Sequence, residues 1–105
     1  MAGTPTGTGP SAPARKSLRV SISGRVQGVW YRAWTVEQAT ARGLRGWVRN
    51  RQDGSVEALF SGPADRVDDM LAACRSGPKL ARVDGIEIFE AEGDVPDGFH
   101  ERPTA

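Results

Sequence analysis

The order of short patterned segments along the chain limits the folds that are open to it. Residues 18–23, Leu-Arg-Val-Ser-Ile-Ser, alternate apolar and polar side chains, which predicts a strand with one face on a core. A loop containing Gly24 and Gly28 follows, and a helix is predicted over 31–42, ended by Gly43. The apolar face of this helix is predicted to comprise Ala33, Val36, Thr40 and Leu44.

A hairpin and a second helix come next. Predicted strands over 46–52 and 55–61 flank an Asp-Gly dipeptide, which is typical of tight hairpin turns. The second helix is predicted to have Pro63 as its first residue and to end at Gly77. Its core stripe, spaced i, i+3, i+4 and i+7, consists of Val67, Met70, Leu71 and Cys74.

The last segments complete the order of elements. A strand is predicted over 82–90, and residues 98–102 are a candidate for a short fifth strand at an edge. Strand, helix, strand, strand, helix, strand predicts an α+β, ferredoxin-like sandwich, with a four-stranded antiparallel sheet and two helices on one face. Strands one and two are joined through a helix and run parallel, so the 24–31 loop and Asn50 are expected to meet at one edge.

The first sixteen residues differ from the rest of the chain. They contain three each of Gly, Pro, Thr and Ala and, after Met1, no apolar side chain larger than alanine. Such a segment buries too little surface to offset its ordering entropy. The composition therefore predicts a disordered tail over 1–16 and one folded domain over 17–105.

Composition excludes several classes of protein. The chain has no run of 18 apolar residues that could span a membrane, and its N-terminus lacks the positively charged start and apolar stretch of a secretory signal. We therefore expect a cytoplasmic protein with no membrane partner. A single Cys with a single His makes neither an internal disulfide nor a zinc site, so no metal and no cofactor are predicted.

Charge is distributed unevenly along the chain. Residues 17–52 carry seven arginines and one acid, whereas residues 53–105 carry five basic and twelve acidic side chains. A positive half of this kind favours an anionic partner, either a phosphorylated small molecule or a nucleic acid. The alternative is that the two halves neutralise each other in the folded chain.

The loop over 24–32, Gly-Arg-Val-Gln-Gly-Val-Trp-Tyr-Arg, joins a strand to the start of a helix. Its two glycines permit a turn in which successive N–H groups point inward, as they do in anion-binding cradles. The helix N-terminus adds partial positive charge, and Arg32 adds a guanidinium suited to a phosphoryl group. An ordinary glycine turn followed by a surface arginine is the alternative that these residues alone leave open.

Two longer motifs carry more information. Gly24-x-Val26-Gln27-Gly28-Val29-x-Tyr31-Arg32 resembles the first signature of the acylphosphatase family, and Gly46-Trp47-Val48-Arg49-Asn50 with Gly54-x-Val56 and Gly62 resembles the second. The resemblance covers about residues 17–102. It implies the ferredoxin-like fold and an enzyme that hydrolyses the carboxyl–phosphate bond of acyl phosphates without a metal.

The resemblance also implies roles for individual residues. Arg32 would bind the phosphate, and Asn50 would hold the attacking water through its side-chain amide, unless it only caps a turn. Since a neutral amide is a poor base, the proton of that water is expected to pass to a phosphate oxygen. The implied phosphate site combines the side chain of Arg32 with the backbone amides of seven residues before it: Arg25, Val26, Gln27, Gly28, Val29, Trp30 and Tyr31.

Two other functions are considered. Acylphosphatase-like domains also occur in larger maturation proteins, so a non-catalytic acyl- or carbamoyl-phosphate-binding module is the alternative. RNA binding on this fold needs exposed aromatic side chains on the open sheet face, and the first and third predicted strands present none there. We therefore expect no nucleic-acid partner, but a monomer that takes a small-molecule acyl phosphate and releases inorganic phosphate.

The other reactive or aromatic side chains are interpreted as structural. Cys74 lies on the core stripe of the second helix, and His100 is expected at the surface with no Ser or Cys partner. The three tryptophans, Trp30, Trp34 and Trp47, are expected to pack.

Overall fold

The computed structural model describes residues 14–105, which form five strands and two helices. The elements are β1 (Arg15–Arg25), α1 (Tyr31–Ala41), β2 (Arg45–Asn50), β3 (Val56–Pro63), α2 (Ala64–Ser76), β4 (Arg82–Glu90) and β5 (Phe99–Glu101).

The strands form one sheet in the order β4-β1-β3-β2-β5. Strand β1 lies antiparallel to β3 and β4, and β3 lies antiparallel to β2, so β1 and β2 run parallel on either side of β3. This confirms the ferredoxin-like α+β fold and brings the ends of β1 and β2 to one edge. The short fifth strand is present and pairs parallel with β2, which makes the sheet mixed rather than wholly antiparallel.

Both helices pack on one face of the sheet and enclose a single core. The strand side chains that point toward the helices are buried, and so is the predicted stripe of α2, including Cys74. Side chains with no exposed surface include Val20, Ile22, Val48, Val56, Ala58, Phe60, Val67, Met70 and Cys74.

Helix α1 buries a different face from the predicted one. Ala33 and Thr40 are exposed and Val36 is half-buried, and of the predicted residues only Leu44, which follows the helix, is buried. The buried residues of the helix are Tyr31, Thr35 and Ala39.

Local hydrogen bonds explain why polar side chains occupy that buried face. The Thr35 hydroxyl donates to the carbonyl of Tyr31 at 2.8 Å, within the helix. The Tyr31 hydroxyl donates to the carbonyl of Cys74 on α2 at 2.6 Å. Because buried polar groups are tolerated once they are hydrogen-bonded, a pattern based on hydrophobicity alone assigns the wrong buried face to this helix.

Two predicted boundaries also shift. Arg15 and Lys16, assigned to the tail, belong to β1 and pair with Pro63 and Gly62 of β3. Pro63 is therefore the last residue of β3 and the N-cap of α2, with extended ψ of 137°, instead of the first helical residue. The rest of the predicted tail, residues 1–13, lies outside the described residues.

The segment after β5 continues alongside β2. The amide of Arg102 donates to the carbonyl of Val48 at 2.9 Å, and the amide of Ala105 donates to the carbonyl of Asn50 at 3.0 Å. The carbonyl of Ala105 in turn accepts from the amide of Gln52 at 2.9 Å. These bonds hold the end of β2 from its outer side. No helix among residues 14–105 is long and apolar enough to cross a membrane.

Candidate active site

The loop between β1 and α1 is anchored by its apolar side chains. Val26, Val29 and Tyr31 are buried and belong to the core cluster. Gly24, at the start of the loop, has φ of 125° and approaches β4 so closely that a Cβ atom there would lie 2.2 Å from the carbonyl oxygen of Arg82. Anchoring of this kind fixes the backbone of residues 26–30 without using its polar groups.

The backbone of this loop has the geometry of an anion cradle. Gly28 and Trp30 are left-handed, with φ of 73° and 67°, and they alternate with residues of negative φ. Such alternation turns successive N–H groups toward one point. Within residues 14–105, no backbone or side-chain oxygen accepts a hydrogen bond from the amides of residues 27–30.

The start of helix α1 adds positive potential to the cradle. Its N-cap, Trp30, makes no side-chain capping bond, and the first turn holds no acidic residue. The free N–H groups of a helix start carry partial positive charge and favour an anion. The unpaired donors of the 11-residue helix therefore directly follow the loop amides in the chain.

Arg32 stands in the first turn of α1 and faces the cleft in front of the loop. Its Nη1 atom lies 3.8 Å from Oε1 of Glu101, the last residue of β5. The two groups form a long ion pair without a hydrogen bond, so the donors of the guanidinium remain open to a ligand.

Five other arginines of the positive half are paired more closely than Arg32. Arg42 and Arg45 contact Asp69 and Asp97 at 2.7 and 3.1 Å. Three arginines surround the buried Glu57 on the open sheet face at 2.7 to 3.2 Å: Arg19, Arg49 and Arg51. Much of the charge imbalance is thus neutralised by folding, and Arg32 is the most weakly engaged of these six arginines.

Asn50 ends β2 and lines the cleft opposite the loop. Its Oδ1 atom is buried and has no hydrogen-bond partner, the only side-chain atom of residues 14–105 in that condition. Asn50 does not cap the following turn, because Asp53 Oδ1 does so by accepting from the amide and hydroxyl of Ser55 at 2.9 and 2.6 Å. An unpaired buried acceptor costs about 1–3 kcal/mol, and this oxygen is free to accept a hydrogen bond from a molecule in the cleft.

The Gln27 side chain joins the loop to the β2 side of the cleft. Its Nε2 atom donates to the carbonyls of Arg51 and Ser55, both at 2.8 Å. Gln27 was predicted to contribute only its backbone amide, and no sequence pattern indicated this side-chain bridge between the loop and the residues after Asn50.

One cleft, with a volume of about 340 Å³, unites the loop, Arg32 and Asn50. Of the predicted phosphate-site residues, five line it, whereas Arg25, the last residue of β1, Gln27 and Val29 do not. The lining residues are Val26, Gly28, Trp30, Tyr31, Arg32, Ala33, Asn50 and Glu101. The presence of Glu101 was not predicted.

The other reactive and aromatic side chains differ in their burial. Burial raises the pKa of the Cys74 thiol to about 12 and the pKa of Tyr31 well above its usual range, so neither is ionised at neutral pH. His100 is exposed on β5, with Nε2 3.0 Å from the carbonyl of Asp97. The expectation that Trp30 packs is wrong, since its side chain is 77% exposed at the cleft.

Comparison with known proteins identifies the family. A family model described as acylphosphatase matches residues 18–101. The chain belongs to the acylphosphatase family. An acylphosphatase from Rhizorhabdus wittichii is 55% identical over 97 residues, which cover 92% of this chain and 98% of that protein.

Solved acylphosphatases share the fold. The structure from Coxiella burnetii has a TM-score of 0.80 at 30% identity, covering 84% of this chain and 93% of the other. The structure from Bacillus subtilis has a TM-score of 0.78 at 33% identity, covering 82% and 97%. The chain is therefore an acylphosphatase, which hydrolyses the carboxyl–phosphate bond of acyl phosphates, and the prediction of family and activity from the two motifs is confirmed.

Proposed function

We propose that the loop amides and Arg32 hold the phosphoryl group of the acyl phosphate while Asn50 holds the water that attacks it. The observation that carries this proposal is the meeting, in one cleft, of three sets of unused polar groups. They are the amides of residues 27–30, the loosely paired guanidinium of Arg32, and the unpartnered Oδ1 of Asn50. A phosphoryl oxygen accepts from the first two, and a water donates to the third.

The reaction then needs positioning and charge stabilisation only. The oxygen of the water forms a bond to phosphorus, the bond from phosphorus to the acyl oxygen breaks, and the carboxylate leaves with that electron pair. A proton of the water passes to a phosphoryl oxygen, so acyl phosphate dianion and water give carboxylate and dihydrogen phosphate. Arg32 and the amides stabilise charge on the phosphoryl oxygens, and the fixed amide of Asn50 orients the attack.

No other side chain is needed as base or nucleophile in this scheme. The Cys74 thiol and the Tyr31 hydroxyl are buried away from solvent and protonated at neutral pH. Among residues 14–105, no group of three or more His, Cys, Asp or Glu side chains could hold a metal ion. We propose that hydrolysis does not require a metal, because the carboxylate leaving group already activates the substrate.

Hydrolysis of benzoyl phosphate by the purified protein, followed by ultraviolet absorbance with excess chelator present, tests the activity. We expect rapid turnover that inorganic phosphate inhibits competitively. Binding of phosphate without turnover would contradict the catalytic scheme and leave the binding-module alternative. Turnover that stops when the chelator is added would contradict metal independence.

Two substitutions separate the proposed roles. Arg32→Gln is expected to weaken phosphate inhibition by about 10- to 100-fold as well as turnover, because a charge-assisted hydrogen bond contributes about 1.5–3 kcal/mol in both states. Asn50→Ala is expected to lower kcat by about 100-fold or more with phosphate inhibition nearly unchanged. Arg75→Gln, at an exposed position on α2, is the control for loss of one positive charge.

Equal weakening of phosphate inhibition by Asn50→Ala and Arg32→Gln would contradict the role of Asn50 in holding water.

The cleft is formed by residues of a single chain, which supports our proposal that the enzyme acts as a monomer; sedimentation at assay concentration tests this. Location in the cytoplasm and the absence of nucleic-acid and membrane partners stay predictions.

A further inference from the structure

The outer rim of the cleft is formed by the exposed members of its lining. They are Gly28, Trp30, Ala33 and Glu101. In the proposed function, on which this inference rests, the phosphoryl group is held by the backbone amides of the loop and by Arg32. The acyl group therefore extends from the cradle over this rim toward solvent.

Glu101 is the only charged residue of the rim. Strand β5 pairs in parallel with β2, with Glu101 opposite Val48, so its carboxylate lies near the Asn50 end of the sheet. The side chain is 46% exposed, and its 3.8 Å separation from Arg32 Nη1 is too long for a hydrogen bond. Glu101 therefore forms only a long ion pair with the guanidinium and acts on the site through its charge.

A carboxylate beside an anion-binding cleft is unfavourable for every anion, and more so for a doubly anionic substrate. It repels the phosphoryl group of all acyl phosphates alike, but it repels the acyl group only where that group is negative. The neighbouring exposed indole of Trp30 presents an apolar face, which favours uncharged or cationic groups. We propose that Glu101 makes the enzyme selective for acyl phosphates whose acyl group is uncharged or cationic, and against those that carry a second carboxylate.

Coulomb's law sets the expected size of the discrimination. For a carboxylate within about 6 Å of Glu101, effective dielectric constants between about 80 and 20 correspond to roughly 3- to 100-fold in kcat/KM. Because Glu101 is half-exposed to water, the lower part of that range applies, about 3- to 30-fold at low salt.

The test compares benzoyl phosphate with 4-carboxybenzoyl phosphate, which differ by one negative charge on the same ring. The ratio of their kcat/KM values is measured for the wild type, for Glu101→Gln, and for the control Glu87→Gln. Glu87 is an exposed residue of β4, at the opposite edge of the sheet. We expect Glu101→Gln to reduce the preference for benzoyl phosphate by about 3- to 30-fold relative to wild type, and Glu87→Gln to leave it unchanged.

The comparison of ratios distinguishes selectivity from other effects of the substitution. If Glu101→Gln changes both substrates by the same factor, the carboxylate only adjusts Arg32 or the phosphoryl site, and the proposal is overturned. Absence of benzoyl phosphate turnover in the wild type would overturn the proposed function itself. A second test uses the wild type alone and does not depend on folding of the variant. The ratio of kcat/KM for benzoyl phosphate to kcat/KM for 4-carboxybenzoyl phosphate should fall as salt rises from about 10 mM to about 1 M. A ratio that does not respond to salt would refute the proposal.

Discussion

Replacing Gln27 with methionine keeps the length of the side chain but removes the two hydrogen bonds that join the β1–α1 loop to the β2–β3 turn. Both bonds are short, 2.8 Å from Nε2 to the carbonyls of Arg51 and Ser55. The partners follow Asn50 in the chain, so the bridge sets the separation between the loop and the proposed water-holding amide. Gln27→Met therefore perturbs the spacing of the site without changing the identity of any residue that lines the cleft.

The structure gives the size of the expected effects. A neutral hydrogen bond contributes a net 0.5–1.5 kcal/mol, so the loss of two bonds lowers the free energy of unfolding by about 2 kcal/mol. With a urea m-value of about 1–2 kcal/mol/M, the midpoint of unfolding shifts down by about 1–2 M. A displacement of the reacting groups by about 1 Å costs on the order of 100-fold in rate, so we expect kcat to fall about 10- to 100-fold.

Urea unfolding followed by tryptophan fluorescence, and benzoyl phosphate kinetics at a temperature where both proteins stay folded, measure the two effects separately. Gln52→Met is the matched control, because the Gln52 side chain is exposed and makes no hydrogen bond to another part of residues 14–105. If Gln27→Met loses about 2 kcal/mol of stability but keeps kcat within about twofold of wild type, the bridge stabilises the fold without positioning the site.

Two further predictions concern buried ionisable groups. Burial alone would raise the pKa of Glu57, but hydrogen bonding and charge from Arg49, with Arg51 and Arg19, hold it below its ordinary value of 4.5. The stabilising contribution of Glu57 is therefore present above about pH 4.5 and is lost as pH falls through the lowered pKa. Urea unfolding across pH should show that Glu57→Gln lowers the free energy of unfolding by about 2 kcal/mol at pH 7 and by progressively less in acid. A difference between the two proteins that is independent of pH would refute this. Burial raises the pKa of the Cys74 thiol to about 12, so iodoacetamide at pH 8 should leave the thiol of the native protein unmodified but should alkylate it in 8 M urea. Rapid labelling of the native protein, seen by mass spectrometry, would contradict the packing of Cys74 in the core.

The strands were predictable because their signals are local. Alternation over residues 18–23 places Val20 and Ile22 in the core, as observed, and the fourth strand spans 82–90 as predicted. Helix α1 was predicted at nearly its observed position, but its buried face was not, because hydrogen bonds to partners on the same or the neighbouring helix allow Thr35 and Tyr31 to be buried. Hydrophobic periodicity carries no information about such partners.

The site was predictable to the extent that topology determines it. Two parallel strands flanking a third bring the loop and Asn50 to one edge, and the cleft contains both. The orientation of Trp30 was missed because its left-handed backbone lies between two residues that turn into the core, Val29 and Tyr31, and its own side chain is left outside. Glu101 has no local signal at all, since a three-residue strand acquires its place only through pairing with β2.

The bonds between the chain end and β2 make the two ends of this domain unequal for anyone who fuses or immobilises the enzyme. A linker joined at Ala105 leaves from a residue whose amide and carbonyl pair with Asn50 and Gln52, so tension on that linker pulls directly on the strand that carries the proposed water-holding amide. Ala14, by contrast, lies next to the start of α2, where its carbonyl accepts from the amide of Ala64, at the far end of β1 from the phosphate loop. An amino-terminal attachment therefore does not pull directly on the end of the sheet that bears the cleft, and it is the better point at which to tether a biosensor or a surface-bound catalyst built on this protein.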